Sequence, residues 1–223
     1  MTKPHESAAF DKSEFYKLKK LVAQGEGLTL EFKRKASYPE KIVREMIAFA
    51  NTAGGTVLLG VDDDGSIPGL KHADGEAHVI HKALECCRPS LKVTETYIPV
   101  GNARCVIRYD VQKNRKKVHY LLTIEKRRQA YVRVKDQSIR ASKEMCEIIK
   151  RAERKRNIAF RYGEHEKFLM EYLDENHSIT LNQFMELCKL KRFYASRKLI
   201  LLVLANVLRI TPHEKGDVYS LAF

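Results

Sequence analysis

The stretch AFANTAGGTVLLGVDDDGSIPGL (residues 48–70) decides how the chain is read. It contains the end of a helix, a Gly-Gly turn, a short apolar run and an acidic turn. Val57, Leu58 and Leu59 are bounded by Gly54-Gly55 and Gly60, the pattern of a strand covered on both faces. Asp62, Asp63 and Asp64 follow, and Gly65 offers the positive φ of a hairpin turn. Three carboxylates on one loop repel one another, so a local compensating partner is expected.

Upstream, residues 12–23 predict a helix capped by Asp11 or Ser13 and ended by Gly25 and Gly27. Residues 28–32 alternate, with Leu28, Leu30 and Phe32 on one face and Thr29, Glu31 and Lys33 on the other. Pro39 suits the first turn of a second helix. Its stripe of Ile42, Val43, Met46, Ile47 and Ala50 leads into the central strand.

Downstream, a helix is predicted over residues 76–87, stopped at Arg88-Pro89. A hairpin over residues 93–111 turns at Gly101-Asn102. Residues 118–124 and 130–134 read as two strands with a basic connection. Residues 141–156 read as a helix whose Met145, Ile148 and Ile149 pack on the sheet. Interspersed helices and hairpins argue for an α+β domain, a mixed sheet with packed helices, over residues 11–156.

After a short linker the pattern changes. Residues 164–223 predict three helices and a hairpin turning at Lys215-Gly216, the order of a small winged-helix domain. In that fold the third helix, residues 193–205, enters the major groove. Its candidate contacts are Lys191, Arg192, Tyr194, Ser196, Arg197 and Lys198. Ile200, Leu201 and Leu204 add apolar surface that also fits a packed interface, so nucleic-acid contact and a structural role both stay open.

Composition narrows the function classes. The 223 residues carry a formal charge of +13, which favours a polyanionic partner, nucleic acid first. Lys113, Arg115, Lys116, Lys117, Lys126, Arg127 and Arg128 cluster around one predicted strand, and residues 150–156 form a second basic run. No apolar run approaches a membrane span, and the polar first residues lack a signal-peptide core, so a cytoplasmic location is expected. Five cysteines without a CxxC pair fit reduced thiols.

The acids allow a chemical reading. Glu26 and Glu31 are five apart and converge only if the chain turns at Gly27. With Lys33, and with Asp62 or Asp63 at the end of the neighbouring strand, they would form an oxygen-rich set suited to magnesium or manganese. Equally, Glu31 and Lys33 read as the solvent side of a strand and the aspartates as a turn. Gly54-Gly55 precedes a strand and lacks the phosphate-loop fingerprints. His72, His78 and His81 read as surface residues.

The blocks TLEFKRK (residues 29–35), REMIAFANTAGGTVLLGVDDDGSIPGL (44–70), VHYLL (118–122) and AYVRVKDQSIRAS (130–142) resemble the Schlafen-type AlbA domain, also called a divergent AAA domain. Many bacterial members carry a trailing winged helix and are described as transcriptional regulators. The resemblance implies a nucleic-acid-binding α+β domain acting on DNA, or on structured RNA. The family's nuclease members use a Glu-x4-Glu pair and an aspartate after the central strand with a divalent metal. Glu26, Glu31 and Asp63 (or Asp62) match those positions. The nuclease core has two such lobes, so a homodimer would supply the second here.

Overall fold

The computed structural model describes residues 11–114, 117–152 and 161–223. The chain divides into two compact units, Met1–Asn114 with His119–Ser138, and Arg115–Val118 with Ile139–Phe223.

In the first unit, helix α1 (Lys12–Val22) starts at Asp11, whose carboxylate accepts the Ser13 N–H at 2.7 Å. Strand β1 (Leu30–Lys33), helix α2 (Pro39–Asn51) and strand β2 (Gly55–Leu59) follow. Helix α3 (Ala73–Leu84) precedes the short strand β3 (Cys87–Arg88) and the hairpin of β4 (Val93–Gly101) and β5 (Arg104–Val111). Strands β6 (Tyr120–Leu122), β7 (Arg128–Gln129) and β8 (Tyr131–Val134) complete the unit, and β9 (Gln137–Arg140) carries the chain onward.

The main sheet has the order β1-β2-β5-β4, with β1 and β2 parallel and the other pairs antiparallel. Its two covers explain the unbroken apolar run in β2. Val57 and Leu59 face a cluster with Ile42, Met46 and Phe49 of α2 and Ala77 and Ile80 of α3. Leu58 faces the other way, into a cluster with Leu18 and Val22 of α1 and Phe32 of β1. Gly55 is needed where α2 turns into β2: a Cβ there would lie 2.8 Å from both the Phe49 ring and the Thr29 carbonyl.

Several expectations change. The acidic turn is real, with Asp62 N–H bonded to the Ser66 carbonyl at 2.9 Å, but it joins no hairpin. The partners of β2 are β1 and β5, so the turn only re-aims the chain towards α3. The third helix lies three residues earlier than the pattern suggests, because Cys87 and Arg88 pair with Leu121 and Tyr120 of β6. The expected strands over 118–124 and 130–134 resolve into three, since Lys126 adopts a left-handed φ of 56° in a turn between β6 and β7.

In the second unit, helix α4 (Lys143–Ala152) packs against α7 (Arg192–Leu204), whereas periodicity had placed it on the sheet. An amphipathic stripe shows that a face is buried, not what buries it. Between them lie α5 (Glu164–Asn176), β10 (Ile179–Thr180) and α6 (Leu181–Cys188). Thr180 and Gln183 form a capping box at α6, with Gln183 accepting the Thr180 N–H at 2.8 Å. Strands β11 (Leu208–Thr211) and β12 (Val218–Leu221) close a three-stranded sheet of order β10-β12-β11. Its core gathers Leu169, Leu173, Phe184, Ala195, Leu199, Leu202 and Tyr219. The element order is the one expected for residues 164–223.

Candidate nucleic-acid interface and buried ion network

Glu26 and Glu31 do come together, and the turn at Gly27 is how. Its N–H donates to the Leu30 carbonyl at 2.9 Å, closing a loop that folds Glu26 back alongside β1. There a Glu26 oxygen accepts the Phe32 N–H at 2.8 Å. The Lys33 ammonium lies 3.9 Å from Glu26 and binds Glu31 directly.

Glu31 is therefore not a solvent-side residue. It is 6% exposed, and its second oxygen lies 2.5 Å from the guanidinium of Arg133 on β8. The Arg133 side chain is wholly buried. It also binds Glu45 of α2, donates to the Gly27 carbonyl at 3.0 Å, and sits over the Phe49 ring at 5.0 Å. Ser138 donates to Glu45 as well. Burial pushes the Glu45 carboxyl above its ordinary range, against the pull of the Ser138 hydrogen bond. Arg133 thus fastens β8 to β1, α2 and the Gly27 loop.

Asp62 faces elsewhere, 3.3 Å from the Arg34 guanidinium. Asp64 accepts the Ser66 N–H at 2.8 Å, and hydrogen bonding to Ser66 holds its carboxyl below the usual range. Two of the three adjacent aspartates thus have local partners. Asp63 is exposed and lines an open cleft of about 700 Å³ with Phe15, Lys19, Gly25 and Phe32.

Most of the oxygens proposed for a divalent cation are already engaged within the protein, the exposed Asp63 excepted. Both Glu31 oxygens are engaged by cationic side chains, a Glu26 oxygen by a backbone N–H, and Asp62 by Arg34. Among the described residues, no group of three or more His, Cys, Asp or Glu is arranged to hold a metal ion.

The basic candidates lie mostly at the surface. Lys113, Lys117, Lys126, Arg127 and Arg128 are exposed, with Arg127 bonded to Glu125 at 3.1 Å. Arg115, Lys116 and most of the 150–156 run lie outside the described residues. On α7, Ser196 donates to Glu144 of α4 at 2.8 Å and Arg192 lies 3.8 Å from the same carboxylate. Lys198 binds the buried Glu166 of α5 at 2.5 Å. Tyr194 and Arg197 are exposed, as is Phe193, whose ring meets Tyr194 edge-on at 5.5 Å. Ile200 is buried, so part of the apolar excess on this helix serves packing within the unit.

Sequence reading missed Arg133 and Asn51. The Asn51 amide donates to the carbonyls of His119 at 3.0 Å and Tyr131 at 2.9 Å, and its oxygen accepts the His119 N–H at 2.8 Å. The available signals were a polar residue ending an apolar helix and an arginine inside the apolar strand AYVRV.

The mixed sheet with helices on both faces defines an α+β domain. The chain belongs to the family described as Schlafen, AlbA_2, which it matches over residues 26–142. Membership suggests a nucleic-acid-binding role. No curated protein matches the chain. Among solved structures, it is similar to the DIP2311 protein from Corynebacterium diphtheriae at 16% identity and a TM-score of 0.42. That match covers 63% of this chain, which spans about a third of the other protein (32%). Among the described residues, no helix is long and apolar enough to cross a membrane.

Proposed function

We propose that the protein is a DNA-binding transcriptional regulator that acts as a homodimer. In this reading residues 164–223 are a winged helix, α7 is its recognition helix and the β11–β12 turn is its wing. The carrying observation is how α7 is partitioned. Ala195, Leu199 and Leu202 face the core, and Ser196 and Lys198 serve internal acids, as Arg192 does at longer range. That leaves Tyr194 and Arg197, with Lys191, Arg192 and Phe193 at the helix start, exposed to meet a duplex. Arginine suits both guanine edges and phosphates, and the surplus of 13 positive charges supplies attraction from a distance. A two-fold dimer would present two such helices to paired half-sites.

The test is fluorescence anisotropy with a random-sequence duplex across a salt series. Affinity should fall on a log-log slope of about −0.9 per phosphate contact. Arg197→Ala should weaken binding several-fold, whereas unchanged affinity would move the interface off α7. A salt-independent affinity would sink the nucleic-acid reading. Light scattering of the same samples reads the dimer.

A second reading, a divalent-metal-dependent endoribonuclease acting on structured RNA, draws on the convergence of Glu26 and Glu31 at Lys33. It requires Glu31 to leave two cationic partners, so it ranks below the regulator. Cleavage of structured RNA with manganese, lost in Glu26→Ala/Glu31→Ala, would reverse the order.

A further inference from the structure

The first turn of α7 is unlike a reader of base-pair edges. Those edges carry hydrogen-bonding groups, and a helix that reads them presents mainly polar side chains. Here the residues after Arg192 are Phe193, 68% exposed, and Tyr194, 57% exposed. Their rings meet edge-to-face, with 5.5 Å between centroids and 80° between planes. In such a pair one ring keeps both faces open and the other keeps one. Neither ring belongs to the core, which takes Ala195, Leu199 and Leu202 from the same helix.

Phe193 is also one wall of an open groove of about 460 Å³ between α4 and α7, with Ile200 and Leu201 along its floor and Glu147 and Arg151 on the α4 side. That space lies within the roughly 300–1,000 Å³ of small-ligand sites and admits a flat ring. The walls can be reached from solvent: Phe193 and Arg197 are exposed, and Glu147 and Arg151 are half-buried. The charge around the rings is positive. Lys191, Arg192 and Arg197 are exposed beside them, and Lys143 lies where the groove continues. Of the two α4 acids there, Glu144 is taken up by Ser196 and faces Arg192 at 3.8 Å. Open aromatic faces among cations match unpaired nucleotides, whose bases offer π-faces and whose phosphates offer charge. A closed duplex offers its bases only by their edges.

We propose that the start of α7 binds unpaired DNA nucleotides, one base stacking on Phe193 over the groove and its neighbour on Tyr194, with Lys191 and Arg197 on the flanking phosphates. Glu147, across the groove, supplies an acceptor for an amino group of the seated base. This rests on the nucleic-acid reading of α7 and narrows it, from any duplex to DNA that carries unpaired bases. The preferred target of such a regulator is a duplex opened locally.

The test is fluorescence anisotropy of the full chain, across a salt series, with an intact labelled duplex and with the same duplex carrying a short gap that leaves thymines unpaired. The gapped duplex should bind about tenfold tighter than the intact one, the size of one base–aromatic stack. Phe193→Leu should lose that advantage while holding intact-duplex affinity within about twofold, and Phe193→Trp should keep the advantage, because a ring and not apolar area is required. Phe193 is exposed, so these changes leave the core untouched, and circular dichroism confirms that the variants are folded. With 5-iodouracil at an unpaired position, irradiation should crosslink the DNA to the peptide that contains Phe193 and Tyr194. Salt-dependent binding that is equal for the two DNAs overturns this proposal and leaves the regulator reading standing. No salt-dependent binding to either DNA removes both. An advantage retained in Phe193→Leu, or a dimer that light scattering shows to fall apart in that variant with the advantage intact, would assign the ring to packing and overturn the proposal.

Discussion

Replacing Arg133 by methionine tests the internal logic of the first unit. The side chain is wholly buried and shares its charge between Glu31 and Glu45, whose side chains are 9% and 18% exposed. Removing it leaves two desolvated carboxylates with only Lys33 and Ser138 nearby. Breaking one buried pair in this way costs roughly 3–5 kcal/mol. The lost stacking on Phe49 adds less. With a urea slope of about 2 kcal/mol per molar, a loss of about 4 kcal/mol lowers the unfolding midpoint by about 2 M. The assay is a urea titration read by tyrosine fluorescence, since the chain has no tryptophan. The triple change Arg133→Met, Glu31→Gln, Glu45→Gln should recover at least half the loss, because neutral amides carry no unpaired charge. The pH dependence follows from Glu45, whose carboxyl already sits above its ordinary value near 4.5. A raised carboxyl means that the folded state holds the extra proton, so stability falls as pH rises above that value. The deficit of Arg133→Met should therefore be smallest below about pH 4.5 and grow towards neutrality. A single variant within 1 kcal/mol of wild type, or a triple variant no better than the single, would refute the reasoning.

Two other outcomes follow from buried polar groups. Asn51→Asp keeps the shape but loses both amide donors and adds a buried charge, so it should cost more than Asn51→Ala, itself about 3 kcal/mol at roughly 1 per hydrogen bond; paired urea titrations give the order, and equal losses would contradict it. In the second unit, burial alone would raise the Glu166 carboxyl. Hydrogen bonds from Lys198 and the backbone instead hold it below its ordinary value near 4.5. The stability this gives is present above that value and lost as pH falls through the lowered one. Lys198→Met should then destabilise the unit by roughly 1–3 kcal/mol at pH 7 and much less near pH 3. DNA affinity of the folded variant should change far less than in Arg197→Ala.

Much of the fold was legible because its signals are local. The stripe of α2, the glycines around β2 and the turn at Gly101-Asn102 each state a conformation within a few residues. The pieces that escaped depend on partners far along the chain. Arg133 sits in a strand where a charged residue ordinarily marks the solvent side. Its burial is decided by Glu31 and Glu45, 102 and 88 residues away. The Glu26–Glu31 pair shows the same limit from the other direction. Spacing and the flexible Gly27 were enough to say how the two acids could meet. What they would meet was a matter of which third group the fold delivers to the end of β1. The fold delivers an arginine to Glu31 and a lysine within reach of both. Two acids with that company form a structural clamp, and the same two acids beside a third carboxylate would form a cation site. In the structure it is the cation at position 133 that occupies the Glu31 oxygen a metal ion would need.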